Sequence, residues 1–302
     1  MRHKKGEDVN GWLIIDKPRD VGSTFVVNLT RRLFNAKKNG HAGTLDPFAT
    51  GVLPLAFGEA TKLLPFVTDG VKVYEFILQF GAFTNTDDSE GEIVETSDVT
   101  PTREEIESVL PCFVGKIKQV PPAYSAIKIN GQRAYKLARE GKDVTIPERE
   151  IEIFELTLLE CCANRSAKFK VVCSKGTYVR ALGRDIALKL GAKGYLQELR
   201  RVKCGKFLDS DAILLEKIKN IVHIDDLMKN LLPLETVLRD IAELAVSEDD
   251  AVKLKQGQAI SPRHYEVRNL IGQEIGAFSQ GKLVAMVRIE ENKIAPVRVF
   301  NL

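Results

Sequence analysis

Apolar residues in this chain recur with two different periods, and the switch between them marks out the elements. Residues 11–18, GWLIIDKP, form a short apolar run stopped by Pro18, the pattern of a buried strand leading into a loop. Residues 74–81, YEFILQFG, alternate instead. Tyr74, Phe76, Leu78 and Phe80 fall on one face, which predicts a strand with Tyr74 at its entrance. In TREEIESVL, Thr102 stands three residues before Glu105, a capping-box spacing that opens an amphipathic helix. IEIFELTLL and AKFKVVCS predict two further strands. SKGTYVRALGRDIALKL then turns through Lys175 and Gly176 into a helix whose Leu182, Ile186 and Leu190 recur every four residues. Strands and helices mix without a regular strand-helix-strand alternation, so the fold class is α+β rather than a doubly wound sheet.

A boundary is expected near residues 232–242. Beyond it Ser247 and Asp250 again have capping-box spacing, Gly257 can close that short helix, and strand patterns follow at 274–278, 283–289 and 295–300. The division is therefore residues 1–240 as a main domain and 241–302 as a small β-rich module. A chain ending near Arg239 is expected to fold by itself, provided the docking of the module is not essential to the core.

Composition narrows the classes of protein. The 302 residues are 44% hydrophobic and 28% charged, with no apolar run near the roughly 18 residues that span a bilayer. The first residues, MRHKKGEDVNGW, turn acidic and polar where a signal peptide needs an apolar stretch, so a cytoplasmic protein that does not engage membranes is expected. Five cysteines, two of them adjacent, resemble neither a disulfide framework nor a zinc site, and buried thiols are the default.

Charge changes the picture more, because a net +3 hides a separation along the chain. Residues 79–111 hold nine Asp/Glu against Arg103 alone, 116–142 hold seven Lys/Arg against Glu140 alone, and 168–206 hold eleven Lys/Arg against Asp185 and Glu198. Two basic blocks interleaved with Tyr124, Tyr135, Tyr178 and Tyr195 suit a phosphate-tracking surface with stacking side chains. The competing reading is that such runs only solvate helix faces.

The chemistry centres on residues 40–54, GHAGTLDPFATGVLP. There is no Walker loop, no dinucleotide fingerprint, no paired-histidine zinc motif and, with four histidines in all, little scope for a His-centred triad. Asp46 remains. Followed by Pro47 and flanked by glycines, it reads either as a turn residue or as a loop-borne carboxylate held ready as nucleophile or base.

At this point the sequence resembles a known family, the bacterial tRNA pseudouridine-55 synthases or TruB family. The resemblance runs through DKP at 16–18, GHAGTLDPFATGVLP at 40–54, GEATK at 58–62, Tyr74, PPAYSAIKINGQRAYKLAREG at 121–141, CSKGTYVRALGRDIA at 173–187 and LRR at 199–201. It implies a pseudouridine-synthase fold, a mixed central sheet with flanking helices, and it likens the last sixty or so residues to the PUA module, an RNA-binding unit.

It also implies roles. Asp46 takes the position of the catalytic aspartate, Arg180 that of its arginine partner, and Tyr74 that of the tyrosine stacked on the target base. Tyr178, beside Arg180, is expected in the same pocket. His41 aligns with a histidine that holds the tRNA T-loop open, since a stacked base must be flipped out to meet a buried carboxylate. Lys128 and Arg133, in an RNA-binding arm over about 121–150, and Arg200 and Arg201 are expected to bind RNA. Lys17 and Pro18 are expected to support the active-site loop. Breaking N1–C1′ and rejoining the ring through C5 needs no electrons or outside groups, so no cofactor and no metal are expected. The partner is the T-arm of tRNA, met by a monomer without guide RNA. Asp20, where the family usually has Gly, Gly22 in place of a common Thr, and Tyr195 in place of a frequent His are departures.

Two rivals come from other classes. An RNA-folding factor needs the basic surface and His41 but not Asp46, whereas a carboxylate glycosidase needs a second catalytic carboxylate that the sequence does not identify.

Overall fold

The run WLII is continuous because the strand that carries it is covered on both faces. In the computed structural model, which describes residues 6–124, 128–129, 132–133, 146–162 and 164–302, this strand is β1, Gly11–Lys17. Leu13 and Ile15 enter one apolar cluster while Trp12 and Ile14 enter another on the opposite face. Strand β3, Thr50–Phe57, pairs antiparallel with β1 and divides its residues likewise, Leu53, Leu55 and Phe57 to one side and Val52 and Ala56 to the other. A strand buried on two faces has no polar alternation to betray it. Together with Pro54 in its middle, this is why the sequence pattern does not announce β3.

These strands belong to a ten-stranded mixed sheet. Its other members are β2 (Asn39–His41), β4 (Lys72–Phe80), β5 (Gly115–Gln119), β6 (Arg149–Cys162), β7 (Ser166–Cys173), β8 (Gly194–Cys204), β9 (Phe207–Leu208) and β10 (Ile213–Leu214). The spatial order is β10-β1-β3-β8-β4-β7-β6-β5, with β9 on β8 and β2 on β3. Tyr74, Phe76, Leu78 and Phe80 share the buried face of β4 as their alternation predicts, and Phe76 stacks on Phe169 of β7 with ring centroids 5.1 Å apart. Helices Ser23–Leu33 (α1) and Val179–Lys189 (α2) pack on that face, α2 through Val179, Leu182 and Ile186. The capping box at Thr102 forms, with the Glu105 amide donating to Thr102 Oγ1 at 3.2 Å and the Thr102 amide to Glu105 Oε2 at 2.7 Å.

The C-terminal residues build a four-stranded sheet in the order Glu243–Ala245, Glu274–Ser279, Lys282–Ile289, Ile294–Val299. The first of these strands was not expected from the sequence. It is three residues long and gives no period to read. Ser247 caps helix Glu248–Lys255 through the Asp250 amide, and Gly257, at φ 78°, ends it by donating to the Leu254 carbonyl.

The module has its own apolar cluster, but Leu283, Met286 and Phe300 leave it to join Trp12, Val67 and Leu234 in the cluster beneath β1 and β3. Lys62 Nζ donates to the Val299 carbonyl at 2.7 Å, and the Asn301 amide donates to Glu59 Oε2 at 2.8 Å. Cutting the chain at Arg239 would strip cover from buried aromatic surface, so the docking of the module bears directly on the condition attached to that expectation.

Candidate active site

The glycines around Asp46 set the path of its loop. Gly43 and Gly51 have φ of 98° and 99°. A Cβ on Gly51 would lie 2.3 Å from the Arg201 carbonyl, so only glycine lets β3 run this close to β8. Between them, Asp46 uses its backbone for a turn, its carbonyl accepting from the Ala49 amide at 3.1 Å. The loop is pinned from outside as well. Ser23 Oγ, at the start of α1, exchanges hydrogen bonds with the carbonyl and amide of Leu45 at 2.8 and 2.9 Å. Lys17 Nζ, fully buried, donates to the carbonyls of Pro18, Val21 and Pro47 at 2.8, 2.7 and 3.0 Å. Burial lowers its pKa to about 8, with Asp46 and Asp20 opposing the shift. The Lys17 ammonium thus ties the backbone at Pro18 to that at Pro47, next to Asp46.

The departures in this region are local. Asp20 sits at φ 63°, a conformation that Asp tolerates better than most residues, and its amide donates to the Pro47 carbonyl at 2.9 Å. Gly22 stands at the N-cap of α1 and supplies no side-chain cap. Tyr195 pairs with Gln79 near the far end of β8 and is not part of the cleft described next.

Asp46 opens on a cleft of about 260 Å³ that is also lined by Lys72, Tyr74, Arg149, Tyr178, Arg180, Leu199 and Arg201. The carboxylate is 38% exposed, whereas Arg180 beside it is 4% exposed. Arg180 Nε lies 2.9 Å from Asp46 Oδ2, yet the N–H is not aimed at that oxygen, so the contact is an ion pair by distance without being an aligned hydrogen bond. Its other nitrogens are fixed. Nη1 donates to the Thr86 carbonyl at 2.8 Å and faces Asp88 Oδ2 at 3.2 Å, while Nη2 donates to the Tyr124 carbonyl at 2.9 Å. Asp88, also 4% exposed, accepts from Thr86 Oγ1 at 2.6 Å and the Glu90 amide at 3.0 Å. A buried arginine held by a second, buried carboxylate presents a fixed positive charge to the exposed one.

Tyr74 forms part of the cleft from β4, and burial pushes its phenol pKa up to about 12 with Arg201 opposing the shift. Tyr178 is the N-cap residue of α2, and Gln119 clamps its backbone by donating to its carbonyl at 3.1 Å and accepting from its amide at 2.9 Å. The Arg149 guanidinium lies over the Tyr178 ring, 5.6 Å from its centroid. Asp46, Tyr74, Tyr178 and Arg180 are thus brought together. His41, on β2, is half-buried near the cleft without lining it. Its Nδ1 is buried without a hydrogen-bond partner among the described residues, and burial, with Arg201, lowers its pKa.

Arg200 and Arg201, both expected to contact RNA, have partners within the fold. Arg201 is 1% exposed, donating to the carbonyls of Val52 at 2.8 Å and Gly43 at 3.0 Å, so it is part of the cleft framework rather than of a phosphate-binding surface. Arg200 is partly exposed, but its fork is engaged by Asp16 in two 3.0 Å bonds and by Asp209, and a phosphate would have to compete with both carboxylates. Lys128 and Arg133 lie in a two-stranded ribbon, Lys128–Ile129 with Gln132–Arg133, and their side chains lie outside the described residues, as does most of the 121–150 arm.

Folding also cancels part of the charge separation along the chain. Arg180 meets Asp88, Arg184 meets Asp87 at 3.0 Å and Lys193 meets Glu95 at 2.8 Å, so the acidic segment pairs with three of the eleven basic residues of the 168–206 block. Sequence reasoning missed Asp88, Gln119, Arg149 and Lys72. Asp88 sat in a run of carboxylates that looked like solvated surface, and the single signal available was its place beside Thr86 and Asp87 in a turn-prone stretch.

Comparison with known proteins bears on this arrangement. Residues 31–179 match the model of the TruB family pseudouridylate synthase N-terminal domain, and residues 180–239 match that of the tRNA pseudouridylate synthase B C-terminal domain. The chain is 47% identical to the tRNA pseudouridine synthase B of Caulobacter vibrioides, the alignment covering 100% of this chain and 99% of that one. It is 45% identical to that of Rhodospirillum rubrum with the same coverage. Among solved structures, a Cbf5-Nop10-Gar1 complex matches with a TM-score of 0.71 at 24% identity, covering 96% of this chain and 84% of its own. An H/ACA RNP bound to a substrate RNA containing 2′-deoxyuridine matches with a TM-score of 0.71 at 20% identity, covering 100% and 92%. At those identities the structures speak for the fold.

Proposed function

The chain belongs to the TruB family of tRNA pseudouridine synthases, and from that premise we propose that it isomerises a T-loop uridine of tRNA at Asp46. The observation that carries the reading is a half-open carboxylate held beside a buried arginine in a cleft it shares with Tyr74. A flipped uridine that enters this cleft meets Tyr74 as a stacking face and Asp46 as the reacting group. The carboxylate attacks C1′, adds to C6 of the ring, or removes a C2′ proton, and the fixed charge of Arg180 stands beside it in each case. The phenol of Tyr74, with its pKa near 12, enters the reaction neutral. The uracil then turns, bonds to C1′ through C5, and releases the C5 proton to solvent.

In this reading residues 1–240 catalyse and residues 241–302 form a PUA-like module that contacts tRNA away from the flipped base. Lys and Arg balance Asp and Glu at eight each from Ala242 onward, which favours local contacts over a broad electrostatic pull. Lys128 and Arg133 of the arm contact the T-arm, and His41 helps to keep the loop open. The protein acts as a monomer in the cytoplasm, without guide RNA. The test is tritium release from tRNA labelled at C5 of uridine, followed by mapping of the modified position. Release of one tritium per tRNA from the T-loop is expected. No release, or modification only in another arm, overturns the reading.

A further inference from the structure

Lys72 opens β4 two residues before Tyr74, so both side chains project from the same face of the strand into the cleft. Its cross-strand neighbours are Cys173 on β7 and Cys204 on β8. The ammonium is buried, at 6% exposure, and donates to the carbonyls of Thr68 and Gly70, the latter at 2.6 Å. It makes no ion pair among the described residues, and the two nearest acids along the chain, Asp69 and Glu75, are held by Lys175 at 3.0 Å and Lys168 at 2.7 Å. A buried ammonium without a counter-ion is expensive, and a methionine would fill the same space without that cost. The pKa of Lys72 is lowered by burial and by Arg201, while Cys204, Cys173 and Asp69 oppose the shift.

We propose that the missing counter-ion is the substrate: Lys72 faces the uracil ring and stabilises the negative charge the ring acquires during isomerisation. This rests on the reading of the cleft as the uridine site. The phosphate groups of an RNA are better placed to meet Lys175 and Arg149, which lie on the same cleft with more exposure, than an ammonium at this depth. When N1–C1′ breaks, its electron pair stays on the ring and spreads over N1, O2 and O4, while C1′ gains a bond to a carboxylate oxygen or a double bond to C2′ whose proton passes to Asp46. Addition at C6 likewise leaves an enolate on the ring. A fixed cation beside those oxygens lowers the barrier along each route.

The test compares single-turnover rates of the full chain, Lys72→Met and Lys72→Arg on tRNA carrying uridine, 2-thiouridine or 4-thiouridine at the target position. Lys72→Met is expected to lose about a hundredfold in rate with tRNA affinity within about threefold, and Lys72→Arg to retain more of the rate. The decisive readout is the thio effect. One of the two sulfur substitutions slows the unaltered protein, and that slowing disappears in Lys72→Met, which a role confined to holding the Thr68–Gly70 turn would not produce. A Lys72→Met rate within threefold of the unaltered protein, or thio effects that persist in full, overturns the proposal. If Lys72→Met does not fold, Lys72→Arg decides by the same measure, an unchanged thio effect counting against the proposal. Absence of turnover by the unaltered protein on uridine tRNA removes the proposal together with the reading it rests on, and is seen before any variant is made.

Discussion

Around Asp46 the chain buries its charges, whereas in the C-terminal sheet it leaves them in water. Arg180, Asp88, Lys17, Lys72 and Arg201 are all buried in or beside the cleft. In the module the ion pairs Lys253–Asp250, Lys293–Glu290 and Arg288–Glu274 keep at least one partner well exposed, and apolar residues fill the interior. Exposed pairs of this kind contribute little to stability, and a buried network costs desolvation that hydrophobic replacements would avoid. The contrast indicates what each region is for. The interior of the module is apolar, while the cleft carries buried charges at an electrostatic cost.

The sharpest way to break this comparison is to disturb the cleft charges without removing them. Arg180→Lys keeps the charge but lacks the fork that reaches Asp46, Asp88 and two carbonyls together. Single-turnover kinetics should show a loss of about a hundredfold or more, with tRNA affinity changed far less. A change in affinity alone would move Arg180 to a phosphate-binding role. Asp88→Asn should cost about tenfold, since it frees Arg180 to shift while leaving the ion pair with Asp46 available. An unaltered rate would mean that Asp88 serves folding only.

Stability effects come next. Lys17→Met removes the donor to three partly buried carbonyls, and chemical denaturation should show a loss of about 2 kcal/mol or more near neutral pH. The sign of the pH dependence follows from the lowered pKa. Between about 8 and the ordinary lysine value of 10.5 the unfolded chain binds more protons at Lys17 than the folded chain does. The unaltered protein should therefore gain stability over Lys17→Met as pH rises through that window, with no such trend below it. In the module the same assay should show Phe300→Ala losing about 3 kcal/mol through the cavity left beside Met286 and Leu283. Arg288→Gln should shift the melting temperature by no more than about 2 °C, because its pair is exposed. A large loss there would erase the contrast between the regions.

How much of this was readable from the sequence depended on whether a pattern was local. β4, the helix after Tyr178 and both capping spacings announce themselves through period and spacing, and the structure contains them all. β3 does not, because it is buried on both faces and interrupted by Pro54. Asp46, Tyr74, Arg180 and Tyr178 were named from motif resemblance and come together in one cleft. Asp88 and Lys72 were not named, since their importance lies in who faces them across the fold. The role expected of Arg201 in RNA binding follows from the resemblance, and only the path of β8 beside Gly43 and Gly51 shows that it is buried with Nε and Nη2 engaged by carbonyls.

Everything proposed for the cleft depends on the Asp46 carboxylate being the group that reacts with the uridine. Asp46→Asn preserves the size of the side chain and its place beside Arg180 but removes the nucleophilic or basic oxygen. Tritium release from C5-labelled uridine tRNA, measured beside tRNA binding on the same preparations, tests this most directly. Release should fall by at least about ten thousandfold with binding within about threefold. Release near that of the unaltered protein, with binding intact, would contradict it.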